Sequence, residues 1–275
     1  MKKQIKLQLT NGYYLHFDQL SRILQYSLEQ SSRKRIPRLE FLETLGMTER
    51  QFENLTSISV GLGLTKRSTF LLTPLGKAIA QRDIYFDRVD TLWMLHYVIS
   101  SESRWIVWNR IINNVIPEND IITTEVALPY YSDLSSAFSE RTITKKMPKE
   151  ILSVLNAYGE QDFSKLHILR QDGSGKYLKD NPEKMHPLPF LYCLLHFRDG
   201  HYPNATGLLK EDILHSDDSP GRVLLLPEYI TAELLMRLHD MRLIGIETFG
   251  DLDQIRFREN INKAWVLNEI YGIEQ

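Results

Sequence analysis

The residues of this chain with the clearest chemical potential are basic side chains near its N-terminal end. Several lie in the segment Arg33-Lys-Arg-Ile-Pro-Arg38, and Lys66 and Arg67 follow in a short polar stretch. Lysine and arginine contact the phosphates of nucleic acids, and these contacts supply most of the non-specific affinity. Residues 1–82 hold 13 Lys/Arg against 6 Asp/Glu, whereas the remaining residues hold 20 against 29. We therefore expect any polyanion to bind at the N-terminal end.

The elements that must position these basic residues follow the order of a winged helix-turn-helix module. Apolar residues at helical spacing predict helices over about 17–30, 37–45 and 48–60. Residues 64–72 predict a two-stranded wing with Lys66 and Arg67 near its tip, and another helix begins at Thr73-Pro74. Helix, turn, helix and then a short wing is the order of this DNA-binding module.

The third of these helices would be the one that reads bases. Its polar side chains Arg50, Gln51 and Asn54 can contact base edges. Glu49 and Glu53 on the same helix would repel phosphates, so contact with a protein instead of DNA stays open. We predict nine nucleic-acid-binding residues: Arg33, Lys34, Arg35, Arg38, Arg50, Gln51, Asn54, Lys66 and Arg67.

Two other groups of residues could do chemistry, and each has a simpler interpretation. Gly173-Ser-Gly-Lys176 resembles the end of a phosphate-binding loop, but Arg170 stands where that loop needs its first Gly. Tyr177 replaces the required Ser or Thr, which favours a hairpin turn. The histidines are densest at His186, His196, His201 and His215, without a recognised metal-ligand spacing. We therefore expect no catalytic residues, no metal and no cofactor, and predict that the protein is not an enzyme.

The middle of the chain predicts a buried helical hairpin on which the flanking segments pack. Between Leu92 and Ile99 only His96 and Tyr97 have polar tips, and a helix that is apolar all round must be buried on all sides. After a Ser-rich break, apolar side chains repeat at helical spacing through Trp105, Trp108, Ile112 and Val115. We expect His96 to be a hydrogen-bonded core histidine.

The predicted fold class is mainly α, and the chain is predicted to contain three units. They are a winged helix-turn-helix module over 1–82, a central helical domain over 83–185 and a winged-helix-like α+β domain over 186–275. In the last unit, helices precede a hairpin formed by 243–248 and 254–258, and its acidic surroundings argue against DNA as its partner. Asn11-Gly12 between two alternating apolar runs predicts a further hairpin at the N-terminus.

Composition favours a cytoplasmic protein. The first residues contain no apolar run long enough for a signal peptide, and no stretch approaches the roughly 18 apolar residues of a membrane span. The single cysteine, Cys193, cannot form an internal disulfide, which suits a reducing compartment.

Four segments resemble an uncharacterised bacterial family, the domain-of-unknown-function family numbered 4007. They are Leu45-Gly-Met, Leu72-Thr-Pro-Leu-Gly76, Asp90-Thr-Leu-Trp-Met-Leu-His96 and Ser219-Pro-Gly-Arg-Val223. The resemblance implies a protein encoded beside DNA sulfur-modification (phosphorothioation) genes and related phage-defence islands. An enzyme similar to phosphoadenosine phosphosulfate reductase is often encoded with members of this family. The resemblance assigns no catalytic residue.

Two functions follow as hypotheses. The first is a non-enzymatic DNA-binding or adaptor component of such a modification or defence system, with double-stranded DNA and the reductase-like enzyme as partners. The alternative is a protein–protein scaffold for a modification enzyme, without direct DNA contact.

Overall fold

The computed structural model describes residues 5–249 and 252–273 and is mainly helical, with two small antiparallel sheets. Its buried apolar side chains form one continuous core that extends from Leu7 to Tyr271. The core crosses both predicted boundaries, at 82 and at 185, so the division into three units stays a prediction. None of the described helices is both long and apolar enough to cross a membrane.

The N-terminal unit contains four helices: α1 (Phe17–Glu29), α2 (Arg38–Leu45), α3 (Glu49–Gly61) and α4 (Pro74–Arg82). Thr48 caps α3 in a capping box with Gln51, which satisfies backbone groups that the first turn leaves unpaired. Thr73 caps α4 with Pro74 at its first position. The predicted wing is reduced to one antiparallel bridge between Thr65 and Leu72.

The predicted hairpin at the N-terminus is wrong in its pairing, although the turn itself is present. Asn11 and Gly12 have the positive φ values, 53° and 76°, that such a turn requires. Among residues 5–17, the segment before the turn does not pair as a strand with the segment after it. Instead Lys6 forms a parallel bridge with Trp105, and its backbone N–H donates to the carbonyl oxygen of Arg104 at 2.8 Å.

The predicted buried helices in the middle of the chain are confirmed. Helix α5 (Val89–Ser100) is buried at every position from Thr91 to Ser100. Helix α6 (Ile106–Arg110) continues through a π-helical turn (Ile111–Val115) into α7 (Ile116–Glu118). Trp93 and Trp108 are both almost completely buried.

Between the central helices and the last unit, the chain forms short helices and one small sheet. It contains α8 (Thr124–Ala127), a 3-10 segment (Leu128–Ser136), a π-helical turn (Thr142–Lys146), α9 (Met147–Gly159) and a 3-10 turn (Asp162–Leu166). Strands β1 (Ile121–Ile122), β2 (Leu169–Gln171) and β3 (Tyr177–Lys179) pair in the order β1-β3-β2. The β2–β3 pairing confirms the predicted hairpin across Asp172–Gly175.

The last unit combines five helices with the second sheet. Its elements are α10 (Pro187–His201), β4 (Gly207–Leu209), α11 (Lys210–His215), α12 (Pro220–Val223), α13 (Glu228–Asp240), β5 (Ile244–Phe249), β6 (Leu252–Phe257) and α14 (Lys263–Tyr271). The predicted hairpin is present as β5 and β6, and its turn residues lie outside the described residues. Strand β4 pairs with β6, and α11 begins directly after it at Lys210.

Helix α14 connects the last unit to the first. It packs against α10 of its own unit and against α4 of the N-terminal unit. The hydroxyl of Tyr271 lies 2.6 Å from that of Thr91, and the guanidinium of Arg88 lies 5.3 Å from the centre of the Tyr271 ring. The contact between Tyr271 and Thr91 joins residues 180 positions apart in sequence.

Candidate nucleic-acid interface

A cleft between the N-terminal unit and the start of α9 carries a cluster of positive charge. It consists of two adjoining depressions of about 760 and 640 Å³, which share Gln8, Asn11, Glu53 and Lys146. We call this cleft the basic groove. Eight cationic side chains line it: Lys6, Arg38, Arg50, Arg67, Arg141, Lys145, Lys146 and Lys149.

Little negative charge balances these side chains. The two carboxylates that line the groove, Glu49 and Glu53, are both used by Arg38, at 3.9 and 3.1 Å. None of the other seven cations forms an ion pair with a carboxylate of the described residues. The groove therefore has a positive potential that an extended anion can neutralise.

One wall of the groove is the helical segment that begins with the π-helical turn and continues as α9. Arg141, Lys145, Lys146 and Lys149 are exposed on this wall. Its opposite face is buried, since Met147 and Ile151 are completely inaccessible. Because the apolar face is fixed in the core, the basic face points toward α3 across the depression.

A buried carboxylate attaches the N-terminal segment to this wall. Glu150 is 1% exposed, and its Oε1 accepts the backbone N–H groups of Leu9 and Thr10, each at 2.7 Å. Its Oε2 accepts the Thr10 hydroxyl at 2.9 Å. Burial raises the pKa of Glu150, and the hydrogen bonds from Thr10 and Leu9 oppose that rise. The same attachment places Gln8 and Asn11 in the groove.

Three cations crowd at the far end of the groove. Lys6 Nζ and Arg104 Cζ lie 5.5 and 4.6 Å from the centre of the Trp105 ring. Burial lowers the pKa of Lys6, and the nearby charges of Arg67 and Arg104 lower it further. Like charges held this close destabilise one another, and a bound anion would relieve the repulsion.

The structure brings together only some of the predicted binding residues. Arg38, Arg50, Asn54 and Arg67 line the groove. The remaining predicted residues do not: Arg33, Lys34, Arg35, Gln51 and Lys66.

Some of these predicted residues have other partners. Arg33 forms a two-pronged pair with Glu40, at 2.6 and 2.8 Å, outside the groove. The Gln51 side chain accepts from the backbone N–H and hydroxyl of Thr48 in the capping box. Asn54 is 3% exposed, and its Oδ1 accepts a hydrogen bond from the side-chain amide of Asn11.

Sequence reasoning missed the second wall of the groove. Arg141, Lys145, Lys146 and Lys149 belong to the part of the chain that is acidic on average, and that average hid them. The signal that could have found them is local: four cations within nine residues, followed by an apolar helical stripe.

The other groups considered for chemistry have structural roles. The Gly173–Lys176 segment is the turn between β2 and β3, in which the Asp172 carboxylate accepts the N–H and hydroxyl of Ser174 at 2.8 and 2.7 Å. His186 lies 2.9 Å from Asp90. Among the described residues, no three metal-ligating side chains converge.

His96 is a core histidine with a partner on each ring nitrogen. Its Nδ1 lies 2.6 Å from the hydroxyl of Tyr158, and its Nε2 lies 2.8 Å from the carbonyl oxygen of Val223. A carbonyl can only accept, so Nε2 carries the proton and Nδ1 accepts from Tyr158. The indole N–H of Trp108 donates to the same hydroxyl at 3.1 Å. Burial lowers the pKa of His96 to about 4.

The fold and the groove define a helical protein with an electropositive cleft. The chain belongs to the family described as a protein of unknown function (DUF4007), whose model matches residues 43–271. This confirms the resemblance drawn from the four sequence segments. No curated protein matches the sequence.

Two solved structures share the fold. The SspB crystal structure superposes with a TM-score of 0.72, and the magnesium ion-bound SspB crystal structure with a TM-score of 0.71. Both are 15% identical to this chain, and the match covers 96% of this chain and 87% of theirs. At this identity the likeness concerns the fold alone.

Proposed function

We propose that this protein is a non-enzymatic DNA-binding or adaptor component of a DNA sulfur-modification (phosphorothioation) or phage-defence system. The observation that supports DNA binding is the basic groove, in which seven cations lack a carboxylate partner among the described residues. Nucleic-acid backbones are the commonest extended anions that such a surface meets in a cell. The modification and defence setting follows from the family resemblance.

The order of elements supports assigning winged-helix units within this proposal. In the N-terminal unit, three helices precede the Thr65–Leu72 bridge. In the last unit, α10, β4, α11, α12 and α13 precede the β5–β6 hairpin, and the sheet order is β4-β6-β5. A hairpin that follows a helical cluster and pairs with an earlier strand is the arrangement expected of a winged helix.

The experiment that tests the proposal compares two charge reversals of equal size. Lys145→Glu with Lys149→Glu changes the groove, whereas Lys34→Glu with Arg35→Glu changes exposed cations outside it. Fluorescence anisotropy with labelled DNA should show that the groove variant binds at least tenfold more weakly and that the control binds like wild type. Since Lys145 and Lys149 are exposed, both variants should fold.

Salt dependence gives a second measure of the same contacts. If the groove neutralises about five phosphates, log Kd should rise with log salt with a slope of roughly 4.5 for duplex DNA and roughly 3.5 for a single strand. The groove variant should have a slope smaller by about 2. Equal affinities for wild type and both variants at low salt would exclude DNA as the ligand and leave the scaffold function.

The adaptor part of the proposal has its own supporting observation on α13. Tyr229 and Met236 are 71% and 52% exposed and lie seven residues apart, on one face of the helix. Exposed apolar side chains that share one helix face can contribute to a surface for a protein partner. Replacing both with Ser should abolish co-purification with the reductase-like enzyme and leave DNA binding unchanged. If the enzyme still co-purifies with this variant, it binds a surface other than this face of α13.

A further inference from the structure

A small hollow beside the basic groove has the features of a site for one unpaired nucleobase. It measures about 200 Å³ and shares Asn54 with the groove. Its other lining residues include the exposed Tyr13 and Tyr14 and the buried Leu55 and Ile58. We call it the aromatic hollow.

The two tyrosines offer planar surfaces that the fold leaves partly uncovered. Tyr13 is 41% exposed and Tyr14 is 50% exposed. The guanidinium of Arg50, which lines the groove, lies 5.2 Å from the centre of the Tyr13 ring. A phosphate-binding cation is thus held against an aromatic ring, and proteins that bind single-stranded nucleic acids combine these two features.

A buried hydrogen-bond donor without a partner is the second, independent observation. The Nδ2 of Asn54 makes no hydrogen bond within the described part of the chain, although the side chain is 3% exposed. Its Oδ1 is held by the side-chain amide of Asn11, and the residue lies where the hollow meets the groove. A buried amide without a partner is costly, so a ligand that supplies an acceptor would be favoured.

The groove excludes the usual docking of a winged helix on a duplex. A recognition helix enters the major groove, which is about 12 Å wide, and its flanks must be free. Here the polar face of α3, with Glu49, Arg50 and Glu53, lies opposite Lys145 and Lys149 across one depression. This wall opposes the entry of a duplex to α3, whereas a single strand can lie between the two walls.

We propose that the basic groove binds a single strand of DNA and that the aromatic hollow receives one of its bases. This inference rests on the proposed DNA binding and names its substrate as unpaired DNA. The backbone contacts the groove cations, a base stacks on Tyr13 or Tyr14, and Asn54 Nδ2 donates to a base carbonyl. Thymine O4 and guanine O6 are acceptors of this kind.

The test measures the binding of three labelled probes by fluorescence anisotropy. They are an oligo-dT, an oligo-dA of the same length and a duplex of that length. Wild type should bind oligo-dT at least tenfold more tightly than the duplex. Tyr13→Ala with Tyr14→Ala should weaken binding of oligo-dT by about tenfold or more, because each stacked base contributes about that factor. The same variant should bind the duplex like wild type.

Two conservative variants and one control separate stacking from damage to the fold. Tyr13→Phe with Tyr14→Phe keeps the rings and should bind oligo-dT like wild type. Tyr85→Ala removes a tyrosine that is 73% exposed outside the groove and the hollow, and it should have no effect. Asn54→Asp keeps an acceptor for Asn11 but removes the donor, so the ratio of oligo-dT to oligo-dA affinity should fall.

The outcomes distinguish this inference from the proposed function. If the duplex binds as tightly as oligo-dT and the Ala variant binds both like wild type, the base site is refuted. The proposed function then stands, provided that the Lys145 and Lys149 reversal still weakens binding. If none of the three probes binds at low salt, DNA binding itself is refuted, and the inference with it.

Discussion

Acidification should destabilise the fold through His96, and the size of the effect follows from its surroundings. Unfolded, the imidazole has its ordinary pKa of 6.5, and in the fold burial lowers the pKa to about 4. Between these two pH values the unfolded chain binds one proton that the native chain does not. The free energy of unfolding must therefore fall as the pH falls from 6.5 to about 4. The stabilisation that comes from the neutral His96 is fully present above pH 6.5.

The magnitude is a large part of a typical domain's stability. The two pKa values differ by about 2.5, and a difference of one corresponds to about 1.36 kcal/mol, so His96 contributes about 3 kcal/mol to the free energy of unfolding at neutral pH. Between pH 7.5 and pH 5, about 2 kcal/mol of this should already be lost. The main cause is burial, which disfavours the charged imidazole. The acceptor role of Nδ1 toward Tyr158 acts in the same direction, because a protonated ring cannot fulfil it.

The assay is urea unfolding of wild type and His96→Gln at pH 7.5 and pH 5. Glutamine can donate to the Val223 carbonyl and accept from Tyr158, but it does not titrate. His196, whose pKa burial also lowers to about 4, titrates in both proteins and cancels in the difference. The stability advantage of wild type over the variant should shrink by about 2 kcal/mol on acidification. An advantage that is the same at both pH values would refute the assignment of a neutral, proton-accepting His96.

Three further predictions, one of them with a matched control, test the buried contacts. Trp93→Ala should cost about 3–5 kcal/mol in denaturant melts, since the side chain is completely buried, and a loss below about 1 kcal/mol would contradict that burial. Gly76→Ala would place a Cβ 2.0 Å from the Leu64 carbonyl oxygen and should unfold the N-terminal unit, whereas Gly200→Ala meets no atom within 4 Å and should be neutral or stabilising. Glu150→Gln should lower the free energy of unfolding by about 2–3 kcal/mol. Amide exchange at Leu9 and Thr10, whose backbone N–H groups Glu150 accepts, should accelerate. Unchanged exchange would argue against Glu150 as the residue that fixes the N-terminal segment.

Features encoded within a few residues could be predicted from the sequence. The apolar run Leu92–Ile99 requires burial on every side of its helix, and it is buried. Thr48 and Gln51 have the types and the spacing of a capping box, and they form one at the start of α3. The β2–β3 hairpin follows from a Gly-containing turn between two short apolar stretches. In each case the residues that determine the local structure are close together in the sequence.

Features decided by distant residues could not be predicted. Asn11-Gly12 predicts a turn, and the turn forms, but its neighbours bind Glu150, about 140 positions further along the chain. The groove likewise needs α3 and the Lys145–Lys149 wall together, and no spacing rule relates them. Asn54 was predicted to read bases from an exposed helix face, yet it is buried because the N-terminal segment folds over it.

The packing of α14 against α4 has a consequence for the order in which the protein matures on the ribosome. At about 5–20 residues per second, roughly 10–40 s separate the synthesis of Arg82 from that of Tyr271. During that interval the first four helices lack the partner that covers part of α4, and α5 lacks the hydroxyl that contacts Thr91. The nascent N-terminal unit therefore exposes apolar surface until α14 arrives, which makes this interval the stage at which chaperones and aggregation compete for the chain.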